Sequence, residues 1–95
     1  MIPENRIPTH PGEVLSEEFL KPLGITQVAF ARHLHIPVQR INELVRGKRG
    51  VTPETAWLLA QALRNSPEFW INLQRAHDLA RTRPDTELDP IIASI

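Results

Sequence analysis

Two short stretches with the apolar spacing of a helix are joined by only three residues. The first is QVAFARHL, the second begins just after Pro37, and His35 and Ile36 complete the connection. So short a connection makes two helices cross steeply and in close contact. Ala31 provides the small side chain that such a contact needs, and the apolar residues that would close the pair are Phe30, Leu34, Ile36, Ile41 and Leu44. The chain is therefore constrained to a helical fold built around this pair.

The prolines indicate where three more helices begin. Because proline fixes φ and its missing N–H costs nothing at the first helical position, we expect helices that start at Pro11, Pro53 and Pro67. Gly24 and Gly47 are expected to end the first and third helices in the left-handed conformation, and Thr26 to cap the second. No stretch alternates with a period of two residues, so the sequence predicts five helices and no sheet.

The spacing of apolar residues predicts which side chains pack. Val28, Ala31 and Leu34 would line the buried side of the second helix. Trp57 and Trp70 favour packing, in the core or at an interface, over a ligand cage or base stacking.

Length and composition restrict the classes of protein to which the chain can belong. Ninety-five residues predict one domain over residues 1–95, with a core over 8–81 and a tail over 84–95. The absence of cysteine excludes disulfides and thiolate metal sites. No apolar run approaches a membrane span, and the N-terminus MIPENRIPTH lacks the pattern of a signal peptide. We therefore expect a cytoplasmic protein with no membrane partner.

Catalysis, metal binding and a cofactor are not expected. His33 and His35 are two residues apart, so on a helix they do not face one another, and no third ligand is near. Glu17 and Glu18 are neighbours that point apart. The serines have no matching histidine and acid, so the sequence predicts no enzyme, no metal site and no cofactor.

The formal net charge of zero hides an uneven distribution. Residues 1–31 and 50–95 each carry a net charge of −2. Residues 32–49 carry a net charge of +4, because a single carboxylate, Glu43, stands among the cations Arg32, Arg40, Arg46, Lys48 and Arg49. From charge alone, a solvated helix face explains this run of cations as well as a binding site for a polyanion does. The helix pair is what distinguishes the two interpretations.

The cationic segment coincides with the second helix of the pair and its exit loop. In a helix-turn-helix this second helix lies in the DNA major groove, where its early exposed side chains meet base edges. The predicted base-reading residues are Val38, Gln39, Arg40, Asn42 and Glu43. For Glu43 the favoured alternative is that its carboxylate supports the side chain of Arg46 or Arg40 and does not contact DNA. The predicted phosphate-binding residues are Gln27, Arg46, Lys48 and Arg49.

Three segments resemble a known family, the Xre-type helix-turn-helix regulators, and within it the HigA antitoxins of bacterial toxin–antitoxin modules. They are HPGEVLSEEFLKPLGITQVAFARHL, RINELVRGKRGVTPETA and SPEFWINLQRAHDLA, within residues 8–81. The resemblance implies a lambda-repressor-like five-helix domain that represses its own operon and neutralises a RelE-like mRNA-cleaving toxin. His35 stands where the family usually has glycine, and Pro37 where a Ser or Thr cap is common, so the angle of the third helix is expected to shift slightly.

One copy of so small a domain reads only a few base pairs, so we expect a homodimer on a near-palindromic operator in double-stranded DNA. The dimer surface is predicted at Phe69, Trp70, Ile91 and Ile92, with Ile95 as a further tail residue.

Two other functions remain open at this point. The first is a stand-alone Xre-type repressor without a toxin. The second is a protein-interaction module that has kept the fold and lost DNA binding, against which the retained cations argue.

Overall fold

The computed structural model describes residues 7–92, and this part of the chain contains five helices and no strand. The first helix, α1, runs without a break through three segments, α-helical Pro11–Val14, π-helical Leu15–Leu20 and α-helical Lys21–Leu23. The others are α2 (Gln27–Leu34), α3 (Val38–Val45), α4 (Pro53–Leu63) and α5 (Pro67–Arg81). The predicted all-α class with five helices is confirmed. Among these helices none has the length and apolar character needed to cross a membrane.

The helices begin where capping side chains are available. The hydroxyl oxygens of Thr26, Thr52 and Ser66 accept the backbone N–H of the residue three positions further on, at 3.0, 3.3 and 3.1 Å. Each bond satisfies one of the N–H groups that a helix start leaves without a partner. Gly24 ends α1 with φ 67°, and Gly47 follows α3 with φ 75°, both in the predicted left-handed conformation.

The π-helical segment of α1 accommodates a proline inside the helix. Pro22 has no N–H to donate, and in a regular α-helix its ring would collide with the carbonyl oxygen of Glu18. The preceding N–H, of Lys21, reaches five residues back to the carbonyl oxygen of Ser16. This wider turn makes room for the ring, so that α1 continues to Leu23.

The core receives side chains from all five helices. Trp70 of α5 has no exposed surface, and its indole Nε1–H donates to Oδ1 of Asn65 at 2.8 Å. Phe19 and Phe69 pack on the Trp70 ring with centroid separations of 5.5 and 5.0 Å. The other buried apolar residues are Leu15, Leu20, Phe30, Ala31, Leu34, Ile41, Leu44, Val51, Ala56, Leu59 and Ala60.

One local expectation, about the side chain of Val28, is corrected. Val28 does not line the core but is 53% exposed, because it precedes Phe30 by two residues and so lies off the stripe that Phe30, Ala31 and Leu34 bury. Pro37 lies at the N-cap of α3, with ψ 141°, which is the capping position expected from the sequence. Because a proline side chain has no acceptor, α3 begins without a side-chain cap.

The cap of α1 is a histidine, which makes this helix end sensitive to pH. Nδ1 of His10 accepts the N–H of Gly12 at 2.9 Å, which requires an unprotonated Nδ1. Burial lowers the pKa of His10 below its ordinary value, with a further lowering from His77 at 4.9 Å between ring centroids. Smaller contributions come from Asp78, which raises the pKa, Arg81, which lowers it, and Glu13, which raises it.

We expect the fold to lose stability as the pH falls below about 6.5. Because the pKa of His10 is lower in the folded chain, the unfolded chain binds more protons between the two pKa values, and protonation then favours unfolding. The measurement is the melting temperature between pH 7.5 and 5.5. The His10→Asn variant keeps a capping oxygen that does not titrate, so its melting temperature should fall less over this range. Equal decreases in both proteins would contradict the assignment.

Candidate nucleic-acid interface

The turn between α2 and α3 has the predicted tight geometry. His35 adopts φ 59° and ψ 40°, so this histidine takes the left-handed conformation that a glycine adopts most easily. Its N–H donates to the carbonyl oxygen of Arg32, and that of Ile36 donates to Ala31. Ala31 is only 2% exposed, as expected of the small residue at the contact between the helices. The two helices therefore form one rigid unit.

One face of α3 anchors the helix, and the opposite face is free. Ile41 and Leu44 are buried, whereas Val38, Gln39 and Asn42 are exposed. Gln39 and Asn42 follow Val38 by one and four positions, so the three side chains lie on a single helix face. Of the five predicted base-reading residues, these three have both the position and the exposure to meet base edges.

Arg40, the fourth predicted base reader, lies at the edge of this face. One of its guanidinium nitrogens, Nη2, donates to the Thr55 hydroxyl at 3.3 Å, and the same nitrogen is 4.0 Å from a carboxylate oxygen of Glu54. Both partners belong to the first turn of α4. Arg40 therefore connects α3 to the start of α4 and presents its charge beside the exposed face.

The carboxylate of Glu43 forms an ion pair, but with neither of the two arginines expected from the sequence. One carboxylate oxygen accepts from Nε and Nη2 of Arg49, at 3.0 and 2.8 Å. The predicted partners were Arg46 and Arg40, and the exit loop of α3 brings Arg49 closer because the Lys48 N–H returns to the carbonyl oxygen of Glu43. The positive charge of Arg49 is therefore paired with the negative charge of Glu43.

The remaining predicted phosphate-binding residues lie in the loop after α3 and at the start of α2. Arg46 and Lys48 are exposed at and after the C-terminal end of α3, and neither forms an ion pair within residues 7–92. Gln27 is half-buried at the first position of α2, behind the Thr26 cap. The exposed polar residues of α3 are therefore followed along the chain by two exposed cations, and cations are the groups that contact a phosphate backbone.

Gln74, which no sequence pattern indicates, holds the loop between α3 and α4 in place. Oε1 of Gln74, on α5, accepts the N–H of Val51 at 2.7 Å, and its Nε2 donates to Asp78 at 2.9 Å. A Cβ added at Gly50 would lie 3.1 Å from the Gln74 side chain, so the loop passes close to it. Only the tertiary contact between this loop and α5 identifies Gln74.

Replacing Gln74 with leucine should destabilise the fold by about 1–3 kcal/mol, because the buried Val51 N–H would lose its acceptor. Urea denaturation followed by circular dichroism measures the change. Gln61→Leu is the matched control, since Gln61 is exposed on α4, and it should change the free energy of unfolding by less than about 0.5 kcal/mol. Similar values for the two variants would show that the bond contributes nothing.

A second missed residue sets the approach of α1 to α3. Gly12 is buried, and a Cβ built on it would lie 1.7 Å from the backbone carbonyl oxygen of Leu44. The backbones of the two helices therefore meet at this point, near the C-terminal end of α3.

The residues predicted for a dimer surface fall into two groups. Trp70 is completely buried within its own chain, so its expected place in a dimer interface is corrected to a place in the core. Phe69 keeps 39% of its surface while packing on Trp70. Ile91 and Ile92 are exposed in the segment after α5, and Ile95 lies outside the described residues.

Comparison with known proteins shows the family to which the chain belongs. The model of the helix-turn-helix family matches residues 17–70. Virulence-associated protein I of Dichelobacter nodosus is 42% identical over 90 residues, which cover 94% of this chain and 83% of that protein. Antitoxin HigA-1 of Vibrio cholerae is 46% identical over 79 residues, covering 82% and 73%.

A solved structure gives the same assignment. The antitoxin GraA in complex with its operator superposes with a TM-score of 0.84 at 33% identity, covering 98% of this chain and 100% of that one. The chain therefore belongs to the helix-turn-helix family of DNA-binding regulators, in the group that includes the HigA antitoxins.

Proposed function

We propose that this protein is a DNA-binding antitoxin that represses its own toxin–antitoxin operon as a homodimer and neutralises a RelE-like mRNA-cleaving toxin. The observation that carries the DNA-binding part is the exposed face of α3, with Val38, Gln39 and Asn42 free to meet base edges. The antitoxin part is supported by the identity to Antitoxin HigA-1 and by the likeness to the antitoxin GraA.

The contacts divide into those that read sequence and those that give affinity. Gln39 and Asn42 can each bond adenine through two hydrogen bonds, and Val38 suits a thymine methyl group. Arg46 and Lys48 neutralise phosphates, and Arg49 joins them when it leaves Glu43. We assign Arg40 to a phosphate rather than to a base, since its guanidinium donates a hydrogen bond to Thr55 at the start of α4. Gln27 bonds a phosphate at the N-terminus of α2.

Two measurements test the proposal. A reporter gene under the protein's own upstream region should be repressed when the protein is supplied, and the product of a short basic reading frame next to the gene should co-purify with it. Repression without a co-purifying product would favour a stand-alone repressor. The absence of both results would contradict the proposed function and would favour an interaction module that has lost DNA binding.

A further inference from the structure

Thr55 places a hydroxyl group inside the protein at a position that an apolar side chain would fill. It lies in the first turn of α4 and is 6% exposed, and within residues 7–92 it is the only hydroxyl, amide or charged side chain that is buried. Valine has nearly the same shape without the hydroxyl, and burying a hydroxyl costs free energy unless it is hydrogen-bonded. A buried hydroxyl therefore indicates a hydrogen bond that has a purpose.

The Thr55 hydroxyl has two partners, and one of them is a cation of α3. Its oxygen lies 3.2 Å from the hydroxyl oxygen of Thr52 and accepts from Nη2 of Arg40 at 3.3 Å. The cap of α4 does not need the Thr55 hydroxyl, because Thr52 caps this helix through the backbone N–H of Thr55. Of the two bonds, only the one to Arg40 connects two helices.

This bond restrains Arg40 without neutralising its charge. Threonine is a neutral acceptor, and the carboxylate oxygen of Glu54 is 4.0 Å from Nη2, which is beyond hydrogen-bond distance. The Glu54 side chain is 77% exposed, so water screens its attraction for the arginine. A guanidinium has five N–H groups, and the bond to Thr55 leaves those of Nε and Nη1 for a further acceptor.

Arg49, on the other side of α3, is held in a different way. Its Nε and Nη2 both donate to one carboxylate oxygen of Glu43, so a DNA phosphate has to displace a negative charge before it can bind this arginine. Arg40 has no such bond to lose, and its side chain is 28% exposed, compared with 48% for Arg49. Arg40 is therefore the arginine that is both restrained and available before DNA binds.

We propose that Thr55 is a positioning residue for DNA binding, which holds the Arg40 guanidinium in the orientation in which it meets a phosphate. Immobilising a long side chain at an interface costs conformational entropy. The hydrogen bond to Thr55 forms when the chain folds, so DNA meets a cation that is already oriented. The inference rests on the proposed function in one respect, the contact of Arg40 with DNA.

A double-mutant cycle on the full-length protein tests this role, with affinities measured for a duplex from its own upstream region and for a scrambled duplex. Thr55→Val should weaken binding to both about tenfold, because each copy of the dimer loses an oriented cation. The slope of log affinity against log salt should stay unchanged, since the charge remains. Thr55→Ser keeps the hydroxyl and should restore the affinity. In the Arg40→Ala background, Thr55→Val should change the affinity less than about twofold.

Substitutions of Arg40 separate its orientation from its charge. Lysine keeps the charge but lacks the planar guanidinium, so Arg40→Lys should bind about tenfold more weakly than the wild-type protein and should be insensitive to Thr55→Val. Arg40→Ala should decrease the magnitude of the salt slope by about two, for one phosphate in each copy. Circular dichroism establishes that each variant is folded at the temperature of the titration.

Two results would overturn the inference while operator binding by the wild-type protein leaves the proposed function standing. The first is an equal effect of Thr55→Val in the wild-type and Arg40→Ala backgrounds, since the hydroxyl would then act only on the fold. The second is an Arg40→Lys variant that binds as tightly as the wild-type protein, a result that does not require Thr55→Val to fold. A wild-type protein that binds no DNA would contradict the proposed function together with the inference.

Discussion

Replacing Gly12 with alanine should cost at least about 3 kcal/mol of unfolding free energy. The added Cβ would lie 1.7 Å from the carbonyl oxygen of Leu44, and backbone atoms at both ends of this contact have no rotamer to change. Relief requires α1 to move away from α3, which opens the core on both sides of the contact. For a domain of this size the corresponding decrease in melting temperature is roughly 12–24 °C. Thermal denaturation followed by circular dichroism measures it.

Gly24 supplies the control for this substitution. A Cβ at Gly24 meets nothing within 4 Å, but the backbone has φ 67°, so Gly24→Ala carries only the strain of a left-handed alanine, about 1–2 kcal/mol. The Gly12 variant should therefore melt well below the Gly24 variant. If Gly12→Ala proved as stable as Gly24→Ala, the close contact between α1 and α3 would be wrong.

Replacing Gln39 and Asn42 together with alanine should remove most of the preference for operator DNA. If each side chain makes a bidentate contact with a base, the double variant loses about 2–6 kcal/mol of discrimination between operator and scrambled duplex, or at least a factor of about 30. Both residues are exposed on α3, so the fold should be unaffected. Fluorescence anisotropy with the two duplexes measures the ratio of dissociation constants.

Lys48→Ala is the matched control for this effect. Lys48 is exposed in the loop after α3, and its loss from both copies of the dimer should weaken binding to both duplexes alike. The slope of log affinity against log salt should then decrease in magnitude by about two. An unchanged ratio of dissociation constants in the Gln39 and Asn42 double variant would show that the exposed face of α3 does not read sequence.

The features predicted correctly from sequence are those decided by a few neighbouring residues. A proline after a capping side chain determines where α4 and α5 begin, and the Thr26 hydroxyl determines where α2 begins. The family resemblance puts His35 where a glycine is usual, and the structure gives this histidine a left-handed backbone with φ 59°. Arg64 also adopts a left-handed backbone, with φ 58° at the end of α4, and an arginine at that position does not indicate it.

The features that sequence could not supply depend on contacts between distant segments. The approach of Gly12 to Leu44 and the bond from Val51 to Gln74 exist only once α1, α3 and α5 have packed. The pairing of Glu43 with Arg49 depends on the path of the loop after α3. The exposed face of α3 was predictable from the periodicity of its apolar residues. The exposure of Trp57 was not, because the sequence predicts that a tryptophan packs but does not identify the residues on which it packs.

The most direct test of the account is the affinity of the wild-type protein for a duplex from its own upstream region. Anisotropy titrations against this duplex and a scrambled one should give dissociation constants that differ by a factor of about 1,000 or more. With Arg40, Arg46, Lys48 and Arg49 of two copies on phosphates, log affinity should fall against log salt with a slope of roughly −7. Equal affinity for the two duplexes at every salt concentration would contradict the claim that α3 reads DNA sequence.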